Sequence, residues 1–206
     1  MKLQNKYESL IIIGAWNRAI FTPEWVGKYV FPGEEMSVEL PIDNIEASPR
    51  YSSKGLSMHI LNQKLIFTIN NPSPENFQQI GIKAIAVCRA LAHTPLLCFG
   101  INHFFQCPKE EIQTIKVFDF SNYDLLKEKG YELKAMRNQQ SLKFEHHILN
   151  VIWSLDNEQV TLEFNNHYDV GTVESLISMF DDNVLYDRLN NSIDFIKKIY
   201  NLNVES

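Results

Sequence analysis

The chain is short of the residues and spacings that most often announce chemistry. Its eight glycines are dispersed over 206 residues and form neither a GxGxxG nor a Walker-type loop, so a phosphate cradle built from backbone N–H groups is not expected. There is no GxSxG elbow, no HExxH and no CxxC pair, which removes the common nucleophile and zinc signatures. Three cysteines, Cys88, Cys98 and Cys107, are too few and too odd in number for a disulfide framework, and read as reduced, mostly buried thiols. No run of Lys or Arg occurs and the formal net charge is −6, which argues against a broad phosphate footprint. No apolar stretch reaches membrane-spanning length. Leu10 to Trp16 superficially resembles a signal sequence, but Glu8 precedes it and no small-residue cleavage site follows. It reads as a buried first strand, and the chain as cytoplasmic.

What is present is an ordinary globular composition, 45% hydrophobic and 21% charged, with regular patterning. The apolar run from residue 9 to about Phe21 suits a central strand. Thr22-Pro23-Glu24 then reads as a helix start, with Thr as cap and Pro at the first helical position. Met36, Val38 and Leu40 alternate with polar residues. Leu56, Met58, Ile60 and Leu65, Phe67, Ile69 do the same on either side of Asn62-Gln63, predicting a hairpin. Ser73-Pro74-Glu75 opens a helix carrying Phe77, Ile80, Ala84, Val87 and Leu91 on one face.

The same order follows again. Pro95 to Gln106 predicts a first strand, and Pro108 to about Gly130 a broken helical region whose second piece is capped by Ser121. Tyr131, Leu133 and Ala135 suggest a strand, and a long hairpin runs through Val151–Leu155 and Val160–Phe164, turning at Asp156-Asn157-Glu158. A helix with Val173, Leu176, Ile177 and Phe180 is capped by Thr172 or Asp169. A further amphipathic helix starts near Asn183, with Leu185, Leu189, Ile193, Ile196 and Tyr200 along one face. Two local echoes support a repeat: Ile11–Arg18 resembles Leu97–His103, aligning Gly14 with Gly100, and Leu65–Asn71 resembles Val160–Asn166.

The predicted fold class is α+β: two tandem β-α-β-β-β-α units, residues 1–94 and 95–206, fused into a pseudo-dimeric antiparallel sheet packed with helices, plus an extra C-terminal helix. In topology alone this order is similar to the duplicated saddle of the TATA-binding proteins.

Four residues are singled out as candidate ligand- or partner-binding positions: Asn17 and Arg18 at the end of the first strand of one unit, Asn102 and His103 at the end of the first strand of the other. They could face a shared cleft; the plainer reading is that they satisfy backbone groups where a buried strand leaves the sheet. His146-His147, on or beside a strand, would point to opposite faces and not easily share one metal. Glu34-Glu35 and Asp181-Asp182 read as solvated boundary residues. Along the first long helix, from Pro74, the small residues Gly81, Ala84, Cys88 and Ala92 form a stripe, expected to pack internally in preference to a partner's helix.

No catalytic residue, metal or cofactor is expected. The leading functional expectation is a soluble, non-enzymatic binding or regulatory protein acting through protein contacts, with a protein partner or a second copy as the counterpart. A small-ligand binder or enzyme using the four polar residues is the alternative. Nucleic-acid binding on the sheet face, suggested by the saddle topology and disfavoured by charge, comes third.

Overall fold

The computed structural model of the chain describes residues 1–41, 48–112, 117–118, 121–156, 159–180 and 183–205. Its strands are β1 (Lys2–Leu3), β2 (Tyr7–Gly14), β3 (Ser37–Glu39), β4 (Arg50–Ser53), β5 (Leu56–Leu61), β6 (Lys64–Ile69), β7 (Leu96–Pro108), β8 (Ala135–Lys143), β9 (Ile148–Asp156) and β10 (Gln159–Asp169). The helices are α1 (Pro23–Tyr29), α2 (Pro74–Ala90), α3 (Tyr123–Glu128), α4 (Val173–Met179) and α5 (Val184–Tyr200). All strands join one antiparallel sheet in the order β3-β4-β5-β6-β2-β7-β10-β9-β8, with β1 extending the β2 side of β7.

The two units place their strands in the same sequence, each beginning with its first strand at the sheet centre and its last beside it: β2-β6-β5-β4 on one side, β7-β10-β9-β8 on the other. The ladders also share a register. Moving 95 residues along the chain, from Leu10 to Phe105 and from Phe67 to Leu162, carries the Leu10↔Phe67 pair onto Phe105↔Leu162, and the same step carries Met58↔Phe67 onto Trp153↔Leu162. The hairpins 56–69 and 151–164 thus occupy equivalent places. The Asn70-Asn71 and Asn165-Asn166 echo has this spacing; the Gly14 and Gly100 echo does not. Gly14 ends β2 opposite Leu96, whereas Gly100 lies mid-strand opposite Ile11.

Local sequence explains most element boundaries. Thr22 Oγ1 accepts from Trp25 N at 3.2 Å and Ser73 Oγ from Asn76 N at 3.2 Å, each cap followed by Pro at the first helical position. Thr172, not Asp169, caps α4, by accepting from Ser175 N. Asn122 replaces Ser121 at the start of α3. Residues 131–134 are not strand, and β8 begins where that prediction ended. β4 was not anticipated. Its signal is the Lys54-Gly55 turn, both residues at positive φ, which closes a tight hairpin onto β5. Tyr51, fully buried on β4, donates its hydroxyl to Phe21 O. The Asn157-Glu158 turn and the Asp181-Asp182 pair lie outside the described residues.

One face of the sheet holds the core. Leu10, Ile12, Leu65, Phe67, Phe99, Ile101, Phe105, Leu162 and Phe164 are buried there, and α2 packs on β6 while α5 packs on β7. α2 also packs against α4 and α5. A Cβ at Gly81 would sit 3.8 Å from Leu185 Cδ1 and 3.9 Å from Phe180 Cδ1, and Ala84 and Cys88 are buried, so this part of the small-residue stripe faces the interior, whereas Ala92 lies beyond the end of α2 and is exposed. Lys83, on the same helix, is 5% exposed. Its ammonium donates to Glu34 Oε1 at 2.7 Å and Val30 O at 3.2 Å, and lies 4.5 Å from the Phe31 ring centroid. Glu34 is therefore not a solvated turn residue but the anchor of a largely buried ion pair, also accepting from Ser53 Oγ at 2.8 Å.

Candidate functional site

The two polar pairs come to rest in different surroundings. Asn17 and Arg18 lie beyond the end of β2 and are exposed; Asn17 Oδ1 accepts from Ala19 N at 3.1 Å and caps the 3-10 turn Arg18–Ile20. Asn102 and His103 lie in the middle of β7, because that strand runs on to Pro108. Being adjacent in a strand, they point to opposite faces.

His103 points into the core and is fully buried. Its Nδ1 is 3.3 Å from the Tyr7 hydroxyl, its ring meets Phe77 edge-on with centroids 5.7 Å apart, and Nε2 has no hydrogen-bond partner among the described residues. Burial pushes its pKa from 6.5 down to about 3, so the ring is neutral at physiological pH. Burial equally raises the Tyr7 phenol. A neutral imidazole sealed among apolar rings has no route to a substrate proton.

Asn102 points to the other face and belongs to a row of four side chains on four strands that ends on a backbone carbonyl of β2. Ser141 Oγ donates to Asn150 Oδ1 at 2.7 Å, Asn150 Nδ2 to Asn165 Oδ1 at 3.0 Å, Asn165 Nδ2 to Asn102 Oδ1 at 2.6 Å, and Asn102 Nδ2 to Glu8 O at 3.2 Å. The strand registers place the four side chains directly opposite one another, from β8 through β9 and β10 to β7. Gly100 makes room for the row: a Cβ there would lie 2.8 Å from Asn165 Nδ2. Sequence reading found Asn102 but missed Asn150 and Asn165, whose signal was their place on the polar phase of two alternating strands.

The rest of this face can be read off the ladders. Ile11 lies opposite Ile66, which lies opposite His59; Ile152 lies between Gln139 and Glu163. Ile66 and Ile152 are buried, yet neither belongs to the hydrophobic core under the helices. Cross-strand neighbours cover them. Ile11, Ile13, Thr161, Asn165 and His167 remain partly exposed. Burial raises the Glu163 carboxyl, with the Arg137 charge opposing.

Two clefts lie elsewhere, one of about 680 Å³ between the start of α2 and α5, the other of about 410 Å³ under α5 beside Phe144 and His147. None of Asn17, Arg18, Asn102 and His103 lines either. His146 and His147 sit in the turn after β8, not on a strand, and the His147 ring is stacked between Phe144 and Tyr168. Burial raises all three thiols, Cys88 to about 12, Cys107 to about 11, and Cys98 with help from Asp169. Among the described residues no group of three His, Cys, Asp or Glu is placed to hold a metal, and no helix is long and apolar enough to cross a membrane. No family model and no curated protein matches the chain.

Proposed function

We propose that the chain is a non-enzymatic binding or regulatory module that holds another protein against the helix-free face of its sheet. The observation that carries this reading is the make-up of that face. Its centre is a row of mutually hydrogen-bonded amides and hydroxyls flanked by Ile11, Ile13 and Ile66, while Arg50, Lys64, Arg137 and Lys143 stand on the outer strands or at strand ends. Aliphatic area interleaved with uncharged hydrogen-bonding groups suits a polypeptide. A phosphate backbone would need Lys and Arg where this face carries Glu8 and Glu163. His103 is packed in the core, off this face, and burial raises all three thiols. A small-ligand reading would need the four polar residues to share a cleft, and they are spread over a 3-10 turn, the core and the opposite sheet face.

The test is photo-crosslinking in the native cell with a probe at Ile13, on the open face, and a control probe at Ile82, exposed on α2. A discrete protein adduct from position 13 alone is expected. Nucleic acid in the adduct, or equal capture from both positions, would refute the reading.

A further inference from the structure

The sheet ends differently at its two edges. β3 is three residues long; β8 is nine, stays in register with β9 from Ala135↔Asp156 to Lys143↔Ile148 without a bulge, and contains no proline. Long edges are ordinarily blunted by shortness, bulges, Pro or charge, because their unpaired N–H and C=O groups accept any passing strand. Here only Arg137 and Lys143 carry charge. Among the described residues no strand and no backbone hydrogen bond meets the outer edge of β8. Five of the twelve large apolar side chains exposed among the described residues, Leu125, Leu126, Tyr131, Phe144 and Ile148, belong to the chain segments that lead into β8 or follow it.

We propose that this edge is a homodimer interface, in which β8 pairs antiparallel with β8 of a second copy about a two-fold axis through Gln139. The strand is self-complementary in that register. Met136 of one copy falls opposite Leu142 of the other, on the face where both already pack against the core. Asn138 falls opposite Gln140, Arg137 opposite Ser141, Ala135 opposite Lys143, and Gln139 opposite itself. Every residue is paired and no cation faces a cation.

Neighbouring registers are worse. A slip of one residue would set the core face of one copy against the open face of the other. A slip of two in one direction brings Arg137 opposite Lys143, and in the other leaves Leu142 and Lys143 without partners. The isologous pairing gives a closed dimer, with no edge of this kind left over. This inference uses the edge of the sheet and not its face, so it stands or falls apart from the partner reading above.

The test uses the full chain in sedimentation equilibrium with Gln139→Lys and Gln139→Glu variants. Position 139 is exposed, so both should keep the wild-type far-UV circular dichroism, and any fall in their thermal transition should vanish at concentrations where wild type too is monomeric. Wild type is expected to dimerise, each variant alone to dimerise about tenfold or more weakly because like charges meet at the axis, and an equimolar mixture to recover a heterodimer. Two outcomes would overturn it: a wild-type chain that stays monomeric at concentrations on the order of 100 µM, or a dimer indifferent to both charges and to mixing. A wild-type monomer that captures only foreign extended peptides at β8 falls under the first.

Discussion

Acid should destabilise this protein through His103 in particular, and the size of the effect follows from its burial. The imidazole is fully buried, neutral, and pushed by desolvation from 6.5 to about 3. Unfolding restores the ordinary value, so between these two pH values the unfolded chain binds a proton that the folded one does not. The stabilisation is fully present above pH 6.5 and drains away as pH falls towards 3. At pH 5 the linkage amounts to about 2 kcal/mol relative to pH 8. His103→Gln keeps a donor and an acceptor for the Tyr7 hydroxyl but cannot titrate. His59 and His147 are also lowered by burial, and Glu34 loses its ion pair in acid, but these are common to both proteins and cancel. Urea unfolding at pH 8 and pH 5 should therefore show wild type losing about 2 kcal/mol more than the variant on acidification. Parallel losses in the two proteins would mean that His103 is not held neutral in the fold. The substitution should also leave partner binding intact, since the ring does not reach the open face.

Gly81→Ala should stabilise by about 0.5–1 kcal/mol, because a methyl group makes ordinary contact with Leu185 and Phe180 and helix propensity improves, whereas Gly81→Leu should overpack that contact and cost about 1–3 kcal/mol; thermal unfolding reads both. Lys83→Ala should cost about 3–5 kcal/mol by stranding Glu34 in its largely buried site, and Lys83→Met with Glu34→Gln should recover much of the loss, which a double-mutant cycle measures. For the Glu34 carboxyl, burial acts upward but the Lys83 and Ser53 hydrogen bonds and the lysine charges outweigh it, so its pKa is lowered; its stabilisation is present above the usual carboxylate range and lost as pH falls below it, a low-pH slope that Glu34→Gln should flatten. Asn165→Ala should cost about 1–3 kcal/mol by leaving Asn102 Oδ1 unsatisfied, and Gly100→Ala should displace the Asn165 amide, both visible as reduced urea midpoints.

Periodicity and capping made most of the fold legible. Alternation located the two long hairpins, and Thr22-Pro23 and Ser73-Pro74 located two helix starts, because those signals are local and the structure uses them locally. The pairing of the two units needed more than local likeness. Two echoes were visible in the sequence at different spacings, and only the one ending in Asn-Asn agrees with the ladders. Its strand residues, Leu65–Ile69 and Val160–Phe164, occupy equivalent ladder positions, which fix spacing, whereas each glycine answers a private crowding problem: a Cβ at Gly14 would lie 2.7 Å from Leu96 Cδ2 and 2.8 Å from Pro95 O, and one at Gly100 would strike the Asn165 amide. Similar residues met unrelated needs. The Lys83–Glu34 pair escaped because its contact bridges segments remote in sequence, whereas β4 was missed although its Lys54-Gly55 turn and its hairpin to β5 are local.

The site shows the same limit more sharply. Asn102 and His103 drew attention as a polar pair, yet strand geometry divides them, so the pair could never have acted as a unit. Each acquires meaning only from what its own face supplies. On the core face, Tyr7 and Phe77 turn the histidine into a neutral packing element whose charge chemistry is suppressed. On the open face, β10, β9 and β8 bring Asn165, Asn150 and Ser141 into line with Asn102, from 63, 48 and 39 residues away in the chain. Amides so linked satisfy one another and cost little to bury beneath a partner, because their hydrogen bonds need not be remade. A surface of that kind is preorganised for association, and it extends to Ser141 on β8, the strand assigned to the dimer edge. If both assignments hold, two copies would present two such rows flanking the joined β8 strands, and a partner bridging them would gain an avidity that a single copy lacks.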